Sequence, residues 1–139
     1  MLISGPTDGS TLNSAMSISS SGLTAERFRM DVISGNIANA DSESVNGSQP
    51  YRRRLVELMA TPDGPQVAGI VQDQAPFRTK YDPGNPAADP KTGQVTMTNV
   101  QPIEEMVDMI GASRAYEANI AAFDSAKNMV KSALDIGKA

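Results

Sequence analysis

The sequence predicts a mainly α protein with a small β insert. Long N- and C-terminal helices form a coiled-coil-like pair within residues 1–40 and 100–139, and a turn-rich segment, 41–99, lies outside them. Three observations predict this. Apolar residues recur every seven positions, or at alternate steps of four and three, from Ser10 to Ala40 and again from Ile103 to Ile136, the period of a helix with a partnered face. All but two of the nine prolines fall between Asp41 and Gln101, where turns must dominate. Only 4% of the 139 residues are aromatic, so large anchors for a globular core are few, and the length fits one domain.

In the first helix Met16, Leu23, Met30 and Ile37 make one seven-residue series. Leu12, Ser19, Glu26, Ile33 and Ala40 make the other, with polar interruptions at Ser19 and Glu26. Asp8 or Ser10 is placed to cap its start, and its length would be roughly 45 Å. Ser, Ala or Gly occupies 13 of the 31 positions from 10 to 40, which allows close approach but buries little apolar area per residue. Its tail, SGNIANADS (34–42), adds a Gly and two Asn that weaken an isolated helix.

The middle reads as four short strands: YRRRLVELM (51–59), QVAGIVQD (66–73), FRTKY (77–81) and QVTMT (94–98). The first two are joined by the turn TPDGP, and DPGNPAADPKTG (82–93) is a run of turns. An insert of about 50 residues has a marginal core of its own.

In the second helix Met106, Met109, Ser113, Tyr116, Ile120, Phe123, Lys127, Val130 and Leu134 follow the four-three alternation, with a charged slip at Lys127. Pro102 suits a first helical turn, and Glu104 and Glu105 follow it near the positive end of the helix dipole. Lys131 and Lys138 flank the far end, and Gly137 is a plausible stop. This helix, at roughly 50 Å, matches the first.

Composition removes much chemistry. The chain has no Cys and no His, hence no thiolate nucleophile, no Cys-based zinc site and no imidazole base. With 12 basic against 16 acidic residues and a net charge of −4, it lacks the basic surface that nucleic acid calls for. Arg52, Arg53 and Arg54 in a strand would point to alternate faces and have no aromatic platform beside them, so pairing with an acidic neighbouring subunit is the better use. Glu104, Glu105 and Asp108 form the best carboxylate cluster, with Glu104 and Asp108 on one helix face, and dipole placement explains the glutamates without catalysis. DPGNPAAD misses the EF-hand spacing. Neither an enzyme site nor a cofactor, metal or small-molecule substrate is expected. Nor does the start carry a basic and apolar leader, and no apolar run of about 18 residues suits a membrane span.

The two helices do not cover each other. Narrow seams leave Ile18, Phe28, Val32, Val107 and Ile110 at uncovered edges, and isolated helices draw most of their stability from packing. The missing neighbours are therefore expected from other chains.

AMSISSSGLTAERFRMDVISGNIANADS (15–42) closely resembles the N-terminal signature of bacterial flagellar rod and hook proteins, whose hallmark is an S-x-N-[IL]-A-N run ending a long helix. YRRR (51–54), YDPGNPAADPKTG (81–93) and NVQPIEEMVDMIGASRAYEANIAAFDSAKNMVKSALDIG (99–137) are similar to the proximal-rod type of that family. The resemblance implies a structural subunit exported through the flagellar type III channel without a cleaved signal peptide. Such subunits pack in a helical tube, the hollow rod that crosses the periplasm and transmits torque. Implied partners are further copies, other rod proteins, the membrane-embedded ring or its adaptor at the base, and the export apparatus. Met16, Leu23, Met30, Ile33, Ile37, Met106, Met109, Ile110, Tyr116, Ile120, Phe123, Val130 and Leu134 are then expected to pack between subunits. Asn36 and Asn39 would either bond to adjacent subunits or cap the helix end locally. Arg52, Arg53, Arg54, Arg114 and Glu117 are candidate polar contacts between subunits. The alternative reading is a free-standing helical adaptor or pilot that binds one partner helix.

Overall fold

A computed structural model describes residues 8–137, with side chains from Thr11 onward. Helix α1 spans Asp8–Ala38, strands β1 and β2 span Arg54–Thr61 and Gly64–Gln72, β3 and β4 span Arg78–Tyr81 and Gln94–Met97, and α2 spans Pro102–Ile136. The strands form two separate antiparallel pairs, β1 with β2 and β3 with β4. Every element expected from the sequence is present. The capping expectation at Asp8 or Ser10, and Lys138, lie outside the described side chains.

The helices run antiparallel. Asn36 of α1 bonds to Glu105 of α2, and fourteen residues from each of these Gly22 meets Asn119, whose Nδ2 lies 2.7 Å from where a Cβ on Gly22 would stand. Equal steps on both helices keep one register along the pair, four turns apart. Pro102 opens α2, with Glu104 and Glu105 in its first turn. At the other end Gly137 has φ −72°, so the helix stops without a left-handed residue, and no basic side chain lies in the described last turn.

The seam differs from the expected one by a single residue. On α2 the buried positions are Glu105, Ala112 and Ala126, which with Asn119 make a seven-residue column, and Met109, Tyr116, Phe123 and Val130 are half-buried beside it. The four-three alternation expects one column at Met106, Ser113, Ile120, Lys127 and Leu134, of which Met106, Ile120 and Leu134 are exposed. On α1 the column with polar interruptions is the better buried, with Ser19, Ile33 and Ala40 covered, while Met16, Leu23, Met30 and Ile37 are half-buried. Gly22 and Ala25 are also covered. The physical reason is distance. Small side chains at the contact let the axes approach, and the larger residue one position along is pushed to the flank.

The β1–β2 hairpin lies along α1. At its base Asn36 bonds to the backbone of Arg54, and at its tip a Cβ on Gly64 would stand 3.0 Å from the Ile18 Cα. The 18 helical residues between these points cover about 27 Å, comparable to the roughly 33 Å of ten extended residues. Gly64 has φ +109°, a conformation that favours glycine, so the turn residue and the docking point coincide. A register shift between Glu57 and Leu58 bends the ribbon. The second pair, β3–β4, is tied to the end of α1 by Arg78, which donates to the Thr98 and Ala40 carbonyls. Val95, Thr98 and Val100 are fully buried there.

Candidate functional site

Where α1 ends, β1 begins and α2 begins, a polar junction holds the three together. Asn36 is its hub and is 1% exposed. Its Nδ2 donates to the Arg54 carbonyl at 2.8 Å and to Glu105 Oε2 at 2.9 Å. Its Oδ1 accepts from the Arg54 N–H at 2.9 Å and the Tyr51 hydroxyl at 3.0 Å. One amide thus pairs with both backbone groups of Arg54 as a neighbouring strand would, and all four of its bonding positions are filled. This explains the polar tail of the helix: a residue poor in helix propensity supplies the tertiary bonds.

Arg53 is the second hub. Its Nε pairs with Glu105, which is fully buried, its Nη2 donates to Asp108 at 2.9 Å, and its Nη1 lies 3.6 Å from Asp73. Burial alone would lower the Arg53 pKa, but the hydrogen bond it donates to Glu105 and the charges of Glu105 and Asp108 outweigh it and hold the guanidinium above its ordinary value. Asn99 accepts from the Arg53 backbone N–H at 2.7 Å and donates to the Asp73 and Ala75 carbonyls. Burial raises the Tyr51 phenol pKa, with Arg54 pulling it partly back and Glu105 adding to the rise.

The sequence-predicted polar residues divide clearly. Asn36 makes the tertiary bonds, whereas Asn39 donates only to the Gly35 carbonyl one turn back, a local cap. Arg53 is committed within the chain. Arg52 stacks 4.2 Å from the Phe77 ring centroid and donates to the Asp73 and Ala75 carbonyls. The Arg54 guanidinium stands 5.3 Å from the Tyr51 ring and, among the described residues, has no carboxylate partner. Arg114 and Glu117 are exposed on α2. Of the acidic cluster, Glu105 and Asp108 meet on Arg53, while Glu104 is exposed on α2. Tyr51, Asp73, Asn99 and the structural role of Glu105 were not foreseen, because nothing in the sequence links positions that far apart.

The apolar residues of α2 that the seam leaves out form an outward stripe: Ile103 is 78% exposed, Met106 53%, Val107 63% and Ile110 54%. A thin helix pair locked at one end, with its large apolar residues facing away, is the architecture of a subunit made to be packed by others. Residues 16–43 match the family described as flagella basal body rod protein, and residues 91–136 match the flagellar basal body rod FlgEFG protein C-terminal family. The chain is 40% identical to the flagellar basal-body rod protein FlgC of Borreliella burgdorferi, over 90% of this chain and 97% of that one. It is 38% identical to FlgC of Bacillus subtilis, over 89% and 97%, and 41% identical to FlgC of Escherichia coli O157:H7, over 87% and 94%. The chain belongs to the FlgC family of flagellar basal-body rod proteins.

Proposed function

We propose that this structural rod subunit of the flagellar basal body takes its place in the proximal rod. There it assembles with further copies and other rod proteins into the hollow, torque-transmitting shaft that crosses the periplasm. The observation that carries the reading is the outward stripe of α2 beside a seam of small residues. A helix that faces water with Ile103, Met106, Val107 and Ile110 is incompletely folded in the energetic sense until other chains cover it. Met16, Leu23, Met30, Ile37, Met109, Tyr116, Phe123 and Val130, half-buried within the chain, complete the packing from their free sides. Arg54, Arg114 and Glu117 are the polar contacts left for neighbours, whereas Arg52 and Arg53 are engaged within the chain. Export through the flagellar type III channel without a cleaved signal peptide, and contact at the base with the membrane-embedded ring or its adaptor, belong to the same reading.

Ile120→Asp tests it. Ile120 is 40% exposed, so the substitution leaves the isolated subunit folded, yet in an assembly it buries an unpaired charge. The expected result is a subunit that is still exported but absent from purified basal bodies, in cells that do not swim. Normal swimming with the variant present in the rod overturns the packing proposed for this face, and an unsubstituted chain absent from the basal bodies of swimming cells returns the free-standing adaptor.

A further inference from the structure

Between α1, β1 and the start of α2 lies a cleft of about 250 Å³, lined among others by Arg29, Val32, Arg54, Leu55 and Leu58. We propose that this cleft receives the outward stripe of α2 from a second copy of the chain, a contact that rests on the rod reading and specifies one of its interfaces.

The argument is complementarity. The walls combine apolar side chains, with Leu55 and Leu58 about two-fifths exposed, and two guanidiniums. Arg53, also at the cleft, is already surrounded by Glu105, Asp108 and Asp73. Arg54 has no carboxylate among the described residues, and Arg29 has only a distant one, Glu26 at 3.8 Å. The cleft therefore calls for an apolar ridge with an acid on it. Such a ridge is present among the described residues: Ile103, Met106, Val107 and Ile110, with exposed Glu104 among them and no cation on that carboxylate. Its own ridge cannot fill its own cleft, because Glu105 and Ala112 hold the opposite side of α2 in the seam. The ridge must come from another copy. Ridge into cleft is a heterologous contact, which repeats along a helical array rather than closing as a pair.

The chain contains no cysteine, so introduced ones report alone. Leu58→Cys and Val107→Cys are placed on separate, differently tagged copies, expressed together in cells lacking the native copy, and oxidised in assembled basal bodies. The expected product is a disulfide dimer containing both tags, absent when either variant is alone. Adding Arg54→Glu to the first copy lowers its yield about tenfold, and Glu104→Arg on the second restores it. No mixed dimer in swimming cells overturns this interface and leaves the rod reading intact, as does a Leu58→Cys dimer with itself. If the charge swap restores nothing, the pairing is wrong. If the unsubstituted chain is itself missing from basal bodies, the rod reading fails, and the interface with it.

Discussion

Replacing Asn36 by Ala isolates the junction from the rest of the fold. The substitution removes four hydrogen bonds. One of them, to Glu105, is buried and charge-assisted, and its loss costs about 2 kcal/mol. The other three are reachable by water, which replaces them in part, so each adds only about 0.5 kcal/mol. The total is about 3.5 kcal/mol, or a few hundredfold in the equilibrium for local opening (about 1.4 kcal/mol per tenfold). The Arg54 amide, which donates to Asn36 Oδ1, is the direct reporter. Hydrogen exchange at Arg54 in the dilute subunit is expected to accelerate by about two to three orders of magnitude. Asn39→Ala, which removes only a one-turn bond to Gly35, is expected to change the same amide by less than about threefold. Equal effects of the two substitutions, or none from Asn36→Ala, would refute the claim that one amide locks the hairpin to the helix pair.

Arg53→Met leaves the Glu105 carboxylate buried without its cation, at a cost of about 3–5 kcal/mol. Combining it with Glu105→Leu should recover most of that in chemical denaturation. Gly64→Ala should destabilise by about 2 kcal/mol, since φ is +109° and the nearby Ile18 backbone cannot move aside. Gly22→Ala meets only the Asn119 side chain, which can swing away, so stability should stay level or rise by up to about 1 kcal/mol. Tyr51 has a raised pKa in the fold, so its contribution to stability is fully present below the ordinary phenol value of about 10 and is lost as pH rises through the raised one. In an alkaline absorbance titration Tyr51 should ionise late, and Tyr51→Phe should remove that late step. Hydrogen exchange should be slowest at 30–38 and 100–112 beside the junction and faster at 11–20 and 120–136, where small residues alone hold the seam.

The elements were legible because their signals are local. Period, proline placement and turn residues located both helices and all four strands within a few positions. The seam column on α2 was placed at Met106, Ile120 and Leu134 because large apolar residues are expected inside. Here the contact belongs to Ala112, Asn119 and Ala126, and the slip at Lys127 was the visible sign that the column lay one residue earlier. The junction was not legible at all. Asn36, Arg53 and Glu105 meet across separations of 52 to 69 residues between Glu105 and its two partners, and each has a bland local explanation as cap, strand charge or dipole partner. The pairing of Asn36 with Arg54 also explains why β1 begins three residues later than the sequence suggested. Ahead of it the Tyr51 N–H is taken by Ser42 and the Arg53 N–H by Asn99 instead of by a strand.

The hairpin pinned to α1 at both ends acts as a splint. Bending α1 must stretch or compress the ribbon beside it, so stiffness grows with the depth of the combined section rather than with the helix alone. At the Asn36 end a sliding load meets three hydrogen bonds, to Arg54 and Tyr51, that converge on one side chain. At the Gly64 end the restraint is steric contact with the Ile18 backbone, which resists compression but not separation. The two ends of the splint thus hold by different means, the base by directional bonds that resist both sliding and separation and the tip by contact that resists only approach.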